Sequence, residues 1–480
     1  MSAGSIRIPR ALSRAASVPQ FGHISRILEW FVIGEFVCQL ALLSQSIGSI
    51  RVVVRCAAFG ASLVMAFLLP PGKQTHPSTK PALVGMAFVG LAVFHPSTNS
   101  LAAGLAQFAI NVAIMAPLLW VSHLTLDKAE VRRVLLIIFA FQATSSLIGV
   151  LQVYFPGEFR GSLSSVIASQ NASYLRGLYY KNGAGSMVMR PSGLTDTPGG
   201  VGMAGQYATL LSLYFFLTET TPLLRAAAVV AAIIGVTAVY LSGVKAAMIL
   251  LALGLAVFVA LFFWRTQNLR GVRLGSRVTR ARTSAIQVLA ITAVVAGVGY
   301  FLASHIGGQG VTEATGRLTQ SAPGTVFYQE RGQFLEYTLT TLLPQYPFGA
   351  GLARWGMMSY YFGNPDNPGI WAEIQWTGWL LDGGVPLVLA YGVAIFIALR
   401  FAVKCAISPA LADLSIFGAL VAAFDVGLIA GTFDYIPFIT GMGMDFWILN
   451  AMLFGAIVYA YREADGRGRR RNEAVSAGYR

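Results

Sequence analysis

Residues 223–264 have the sequence LLRAAAVVAAIIGVTAVYLSGVKAAMILLALGLAVFVALFFW. Two apolar runs, 223–242 and 246–264, are separated only by a short turn that contains Ser242 and Lys245. Each run has about 20 residues, the length that a helix needs to cross the hydrocarbon core of a bilayer. The stretch therefore predicts two membrane-spanning helices joined by a tight turn.

The rest of the chain has the same character. Of its 480 residues, 55% are hydrophobic and only 11% are charged, and the mean hydropathy is +0.64. A soluble protein carries about 25% charged residues, because water must solvate its surface. The composition therefore excludes a soluble globular enzyme, a disordered chain and a coiled coil, and it predicts an all-α polytopic membrane protein.

Further apolar runs predict about twelve membrane-spanning helices. We place them at residues 27–47, 52–69, 82–95, 100–122, 132–155, 200–217, 223–242, 246–264, 285–304, 384–403, 411–432 and 444–461. The third run is short, and the first contains two glutamates.

Basic residues predict the orientation of these spans. Segment 265–282 holds six arginines and no acid, and basic clusters also lie in the N-terminus 1–26 and the tail 462–480. Cytoplasmic loops carry an excess of Lys and Arg, and twelve spans place all three clusters on one side, so we expect both termini in the cytoplasm. Arg51 and Arg55, at the outer start of the second span, oppose this assignment. Because the net charge of +14 resides beside apolar spans, we expect no nucleic-acid partner.

Two long hydrophilic segments then lie on the outer side, where they combine Arg, Tyr, Trp, Gly and Pro as ordered binding loops do. Loops of this length are functional or disordered, and the aromatic content favours order. The chain divides into a basic N-terminus 1–26, an N-terminal bundle 27–155, a first outer loop 156–199, a central bundle 200–304, a large outer loop 305–383 between the ninth and tenth spans, a C-terminal bundle 384–461, and a basic tail 462–480.

The sequence contains no familiar cofactor motif in a suitable context. Gly200, Gly202 and Gly205 form a GxGxxG string, but no βαβ unit surrounds it, and small residues that ease helix packing in a bilayer explain it better. Walker A and HExxH strings are missing. The five histidines are scattered and the three cysteines are far apart, so we expect no cofactor, no metal site and no disulfide.

Cationic side chains on the predicted outer face are the strongest chemical signal. They oppose the topological trend, and Arg is suited to bidentate capture of phosphate or carboxylate. The alternative is that they pair with outer acids such as Asp196 or with lipid headgroups. The eight residues are Arg160, Arg176, Lys181, Arg190, Lys245, Arg317, Arg331 and Arg354.

Four stretches, in consistent order, resemble the O-antigen ligase/polymerase superfamily of WaaL-like ligases and Wzy-type polymerases. Residues 190–198 (RPSGLTDTP) are similar to that family's Arg-x-x-Gly…Pro entry to a helix. Residues 241–246 (LSGVKA) are similar to its Ser-Arg turn, with Lys245 where Arg is usual. Residues 331–351 resemble its Arg…Pro-x-Gly-x-Gly segment, and residues 381–386 (LDGGVP) resemble the Glu-x-Gly that starts its next span.

The resemblance covers roughly residues 190–400, and one departure within it is informative. Ligases of the family carry His-Asn eleven residues before the glycine that aligns with Gly384, whereas this chain has Glu373 followed by Ile374. Loss of that histidine argues against transfer onto lipid A. It favours the polymerase or exopolysaccharide-assembly branches.

The resemblance implies a GT-C-like helical glycosyltransferase in a bacterial inner membrane. It would polymerise oligosaccharide repeat units carried on undecaprenyl pyrophosphate, without ATP or metal, and it would work among membrane lipids and with a chain-length regulator. Fixed cations would stabilise the negative charge that develops on the pyrophosphate leaving group. The candidate pyrophosphate-binding residues are Arg190, Lys245, Arg331, Arg317 and Arg354, of which Arg190 and Arg331 are also candidate catalytic residues.

Glu373 is the candidate general base for the acceptor sugar hydroxyl, since a carboxylate near a dry membrane boundary suits proton transfer. The alternative is that Glu373 pairs with an arginine and orients it. Trp355, Tyr360 and Trp371 are candidates for stacking on sugar rings, although Trp and Tyr also accumulate at membrane interfaces for other reasons.

Two other functions remain open at this point. The same family offers a ligase that moves a finished glycan onto lipid or protein. A twelve-span transporter or flippase is the alternative from another class, because Glu35, Asp425 and Asp445 lie within apolar stretches, where a charge is costly and faces the protein interior. In an enzyme these acids would pair with other polar groups.

Overall fold

Helices account for nearly all of the regular structure in the computed structural model. It describes residues 25–69, 74–159, 163, 165–168, 172–268, 275–320, 323–367 and 369–477. Each of the twelve predicted apolar runs contains a long helix. These are α1 (Ser25–Ala41), α2 (Arg51–Leu68), α3 (Thr79–Ala92), α4 (Leu101–Met115), α5 (Lys128–Tyr154), α6 (Val201–Thr218), α7 (Pro222–Leu241), α8 (Lys245–Asn268), α9 (Gly275–Gly307), α10 (Gln375–Ile407), α11 (Ser415–Gly431) and α12 (Gly441–Ala477).

Eight helices of the described chain are long and apolar enough to cross a membrane. They are α2, α4 with its continuation to His123, α5, α7, α8, α9, α10 and α12. Helices α3 and α11 are apolar but shorter, with 14 and 17 residues. The prediction of an all-α polytopic membrane protein is confirmed at this level, and the count of twelve crossings stays a prediction.

Shorter elements fill the connections, mainly in the two long hydrophilic segments. The α-helical pieces are Pro117–Trp120, Ser165–Ala168, Ala172–Gly177, Gln309–Gln320, Pro323–Phe327, Gln333–Tyr337, Leu343–Gln345 and Gly356–Phe362. Turns of 3-10 helix occupy Gln45–Ile50, Val121–His123, Pro409–Leu411 and Pro437–Ile439, and π-helical turns occupy Tyr328–Gly332 and Thr338–Leu342. In the described residues the β-structure is one antiparallel hairpin, β1 (Tyr179–Lys181) with β2 (Met187–Met189), in which Tyr180 faces Val188.

Small residues bring α6 close to α7 and to α8. A Cβ atom on Gly205 would lie 2.4 Å from the carbonyl oxygen of Gly235, and one on Gly202 would lie 3.0 Å from the Cβ atom of Ala247. Any larger side chain would force these helices apart. The GxGxxG string is therefore a helix-packing feature, as predicted.

The helical segment α10 begins at Gln375, but its backbone is non-helical at Gly384, where two helices meet at a kink. The predicted start of the tenth span at 384 coincides with this interruption. The side chain of Asp382 is accommodated inside the helix because Trp355 Nε1 and Gln107 Nε2 donate hydrogen bonds to its two oxygens, at 2.8 and 3.2 Å. At Gly384 φ is +65°, and a Cβ atom would lie 2.3 Å from the carbonyl oxygen of Pro347, so the kink requires glycine.

The β-hairpin is fixed to one end of the bundle. Three hydrogen bonds join it to the C-terminal ends of helices: Asn182 Nδ2 to the Val153 carbonyl of α5, Tyr180 Oη to the Leu241 carbonyl of α7, and the Gly183 amide to the Ile306 carbonyl of α9. These three helix ends therefore lie at the same end of the bundle, together with the first outer segment.

The positions of Arg51 and Arg55, which oppose the predicted orientation, are explained by a nearby carboxylate. Both guanidinium groups contact Asp196 of the first outer segment, Arg51 at 3.6 Å and Arg55 through a direct hydrogen bond. Asp196 is 5% exposed, and a buried carboxylate needs a cationic partner. The two arginines at the start of α2 supply that partner and offset its charge. The two arginines that opposed the predicted orientation thus serve to anchor this loop.

The large outer segment is anchored by the turn between α3 and α4. The Leu352 amide donates to Thr98 Oγ1 at 3.1 Å, and the Asn99 amide donates to the Leu352 carbonyl at 3.1 Å. Asn99 Nδ2 also donates to the Asn367 carbonyl at 2.9 Å. Asp366 lies in a turn in which its amide donates to Asn364 Oδ1.

Acidic residues within the apolar helices have polar neighbours. Tyr207 Oη donates to Asp445 Oδ2 at 2.9 Å, and Asn450 Nδ2 donates to Asp425 Oδ1 at 2.8 Å. Glu35 lies beside α12, where a Cβ atom on Gly441 would be 3.1 Å from Glu35 Oε1. Pairing of this kind holds helices together inside a bilayer.

Candidate functional site

Arg190 and the turn before α8 lie side by side. Arg190 follows β2, and its backbone amide donates to the Leu178 carbonyl at 2.8 Å, which fixes the start of its side chain. The side chain then runs along Gly243, where a Cβ atom would lie 3.7 Å from Arg190 Nε. Two residues beyond Gly243, Lys245 begins α8. Two cationic residues that are 55 positions apart in the chain are therefore brought to one turn.

The Arg190 guanidinium lacks a carboxylate partner among the described residues. Its charge is felt nonetheless by Tyr180, whose phenol is largely buried: burial raises the pKa of Tyr180, and Arg190 partly opposes that rise. An arginine held in place by its backbone and by a glycine turn, with no carboxylate partner in the described part of the chain, is suited to bind an anion.

Arg190 also lines a groove of about 230 Å³ between the hairpin and the end of α5. Its other walls include Gln152, Tyr179, Met187 and Ser192. Apolar surface with a few convergent polar groups is the usual composition of a ligand pocket.

Arg331 and Glu373 form a second cluster, as an ion pair. Arg331 Nη1 lies 3.3 Å from Glu373 Oε2, and Arg331 Nε donates to the Asp434 carbonyl at 2.9 Å and lies 3.6 Å from Asp434 Oδ1. The three side chains are 32%, 25% and 33% exposed, so water reaches all of them. Arg331 stands on the π-helical turn Tyr328–Gly332, a local irregularity that is frequent at functional sites.

Glu373 is oriented from both sides. Trp371 Nε1 donates to Glu373 Oε1 at 2.9 Å, while Arg331 approaches the other oxygen. The residue lies two positions before α10, and Thr338 and Thr377, whose hydroxyl oxygens are 2.6 Å apart, hold the Arg331 helix against α10. In this conformation Glu373 pairs with an arginine, as the alternative interpretation expects. The role of Glu373 as a general base stays a prediction.

The two clusters are joined by the first turn of α6. Gly202 packs on the turn after α7, where its Cβ position lies 3.0 Å from Ser242 Oγ. The neighbouring Met203 has its sulfur 3.8 Å from Tyr435 Oη, which also lies 3.3 Å from the Met442 sulfur. Tyr435 follows Asp434 directly. Residues that adjoin the Arg190 cluster and the Arg331 cluster therefore contact the same turn of α6, and the two clusters lie at one end of the bundle.

Of the remaining candidate pyrophosphate-binding residues, Arg354 contacts neither cluster through the hydrogen bonds of the described residues. Arg354 Nη1 donates to the Ser97 carbonyl at 3.2 Å, and its Nε atom is buried without a partner in the described structure. The preceding Ala353 has φ +54°, a conformation that favours glycine. Arg317 lies on the helix Gln309–Gln320, but its side chain is outside the described residues. Arg354 thus holds the large segment to the α3–α4 turn.

The predicted stacking residues divide into two groups. Trp355 is 2% exposed, and its indole packs against Gly378 while Nε1 bonds to Asp382. Its face is covered, so the stacking role that we predicted for Trp355 is wrong for this conformation. Tyr360 and Trp371 are 54% and 66% exposed and remain accessible to a sugar.

Two residues of the site were missed from the sequence. Asp434 is the single acid between the last two predicted spans, a signal that was present and could have been used. Gln152 gave a weaker signal, as one polar residue near the end of an apolar run. Within the described part of the chain, no three His, Cys, Asp or Glu side chains converge as metal ligands would.

The class that the fold defines is an all-α polytopic membrane protein with two arginine-containing clusters at one end of its bundle. Comparison with protein-family models and with curated proteins gave no match for this chain.

Proposed function

We propose that this chain is a bacterial inner-membrane glycosyltransferase that polymerises undecaprenyl-pyrophosphate-linked oligosaccharide repeat units into a surface polysaccharide. The observation that carries the proposal is the position of Arg190. Its guanidinium lacks a carboxylate partner in the described structure, and it lies against the turn that presents Lys245. Two cations at one turn, at the end of a membrane bundle, match a diphosphate carried by a lipid.

The topology belongs to the same proposal. Twelve crossings with both termini in the cytoplasm put the hairpin, the α7–α8 turn and the Arg331 cluster on the extracytoplasmic face. The repeat units would be presented there on their lipid carrier. A chain-length regulator is the protein partner that such a polymerase would need, in addition to membrane lipid.

The reaction joins an acceptor hydroxyl to the first sugar of a donor. The hydroxyl oxygen attacks the anomeric carbon, the bond from that carbon to the phosphate oxygen breaks, and the diphosphate leaves on its lipid. Arg190 and Lys245 would stabilise the charge on that leaving group in the transition state. Glu373 would accept the hydroxyl proton while Arg331 and Trp371 hold its carboxylate in position.

The test removes Arg190 in a cell that depends on this chain for its polysaccharide. Arg190→Ala should abolish long-chain glycan while the protein remains folded in the membrane. Arg176→Ala is the matched control, because Arg176 is an exposed arginine of the same outer segment that donates to the Ala172 carbonyl. Normal glycan length in the Arg190→Ala strain would refute the proposal.

The intermediate that accumulates without the protein distinguishes the two activities of the resembling family. A deletion strain that makes single capped repeats has lost a polymerase. One that accumulates long chains on the lipid carrier has lost a ligase, and a strain in which repeats fail to reach the outer face has lost a flippase. We expect the first result.

A further inference from the structure

The groove beside Arg190 is large enough for more than the diphosphate. Its volume of about 230 Å³ is room for on the order of eight waters at about 30 Å³ each, and therefore for a sugar ring of about a dozen non-hydrogen atoms. It is lined by the outer segment and by the last turn of α5, so it lies at the end of the bundle and away from the apolar middle of the helices.

The groove is built before any ligand arrives. The side-chain amide of Gln152 makes four hydrogen bonds: Oε1 accepts from the amides of Ser192 and Gly193, both at 2.9 Å, and Nε2 donates to the carbonyls of Phe159 and Gly193, both at 3.0 Å. The opposite wall is the hairpin, which is fixed to three helix ends. A preformed site avoids the cost of ordering its walls when a ligand binds.

The lining suits a molecule with one apolar face and several hydroxyls. Tyr179 supplies an aromatic surface with a polar end, and Met187 supplies a flexible apolar surface that adapts to irregular shapes. Arg190 and Ser192 supply polar groups on the same groove. A sugar ring has this combination of CH surface and hydroxyls, whereas a polyprenyl chain has no polar group that could form a hydrogen bond with Arg190 or Ser192.

We propose that this groove holds the sugar that is attached directly to the diphosphate of the donor. The inference rests on the proposed function, because a diphosphate bound at Arg190 would position the sugar. The anomeric carbon of that sugar is bonded to a diphosphate oxygen, so the ring would lie directly beside the diphosphate that Arg190 holds. The groove would thereby select the donor by its first sugar, and Arg190 would hold the leaving group.

Binding of two lipid probes to the purified full-length chain in nanodiscs tests this assignment. The probes are undecaprenyl pyrophosphate alone, and the same lipid bearing one glucose, galactose or N-acetylglucosamine. We expect at least one sugar-bearing probe to bind about ten-fold more tightly than the bare lipid, the gain from one or two net hydrogen bonds with some apolar burial.

Variants of groove residues test whether the gain in affinity for the sugar-bearing probe arises in the groove. Met187→Trp should fill the groove and remove the preference for the sugar-bearing probe, while the bare lipid binds as before. Ser186→Trp is the control, because Ser186 is an exposed residue of the same hairpin and does not line the groove. Tyr179→Leu, which keeps an apolar strand residue, should reduce the preference if the larger Met187 variant fails to fold.

The outcomes separate this inference from the proposed function. If the bare lipid binds, Arg190→Ala weakens it, and none of the three sugars adds affinity, the groove assignment is refuted and the diphosphate site stands. Retention of the preference in a folded Met187→Trp protein also refutes it. If neither probe binds, or if Arg190→Ala leaves binding unchanged, the proposed function itself is refuted.

Discussion

The Arg190 cluster and the Arg331 cluster contain the same kind of side chain in opposite electrostatic settings. Arg190 lies along a glycine turn beside Lys245, without a carboxylate partner in the described residues. Arg331 lies between Glu373 and Asp434, and the negative charges of these two carboxylates offset its positive charge. The Arg190 guanidinium therefore offers its positive charge to a ligand, and the Arg331 cluster offers an oriented carboxylate. The difference teaches that an arginine predicted from its position in the chain acquires its role from the acids that the fold places around it.

The largest expected effect tests the positive charge of Arg190. Arg190→Ala should lower kcat/KM for a lipid-linked donor by about 10²- to 10³-fold, the usual loss when one donor to a developing anion is removed. Arg190→Lys should recover part of the rate, because the charge remains and the bidentate geometry is lost. Steady-state kinetics on the reconstituted protein measure both. Equal activity of Arg190→Ala and wild type would remove the distinction between the clusters.

A double-mutant cycle tests the second cluster at an intermediate scale. Arg331→Ala and Glu373→Gln should each slow turnover, and Glu373→Gln should leave donor binding intact. Because the two side chains contact each other, the double variant should lose less than the product of the single losses, by a coupling of about 1–2 kcal/mol. Strictly multiplicative losses would show that Arg331 acts on a group other than Glu373, and the second cluster would then resemble the first.

The smallest expected effect concerns Asp434. The Arg331 hydrogen bond is made to the backbone carbonyl, which Asp434→Asn retains, and the carboxylate is a third exposed at 3.6 Å. The substitution should therefore change kcat by no more than about three-fold, as expected for a solvent-screened pair worth under 1 kcal/mol. Asp366→Asn, in an exposed turn, is the control. A loss as large as that of Arg331→Ala would make the Asp434 carboxylate essential to the cluster.

Local features of the site were accessible to sequence reasoning. The turn at Lys245 follows from two apolar runs that leave only three residues, 243–245, between them, and the Asp366 turn follows from its Asn, Pro and Gly neighbours. The predicted start of the tenth span at 384 coincides with the kink of α10 at Gly384, whereas the helical segment that precedes it from Gln375 was not predicted. That segment and the kink depend on Trp355, Gln107 and the chain at Pro347, which are distant in sequence.

Pairing among the charged residues was beyond local reasoning. Asp196 is 141 positions from Arg55, and Asp434 is 103 positions from Arg331. Which acid meets which base depends on the rotation of each helix about its axis and on the path of the loops. Composition contains neither quantity. Trp355 shows the same limit, because burial against Gly378 removed a face that its sequence position made available.

By itself, the sequence determined that this chain is a bundle of apolar helices with polar segments between them. That result follows from hydrophobic length alone, since an apolar run of about 20 residues satisfies its own backbone only as a helix in the bilayer. The tertiary structure alone decided which arginine is neutralised, which lies beside a groove, and which aromatic ring is covered. Electrostatic and packing energies fall off within a few ångströms, so these roles depend on distances that exist only after the helices have packed.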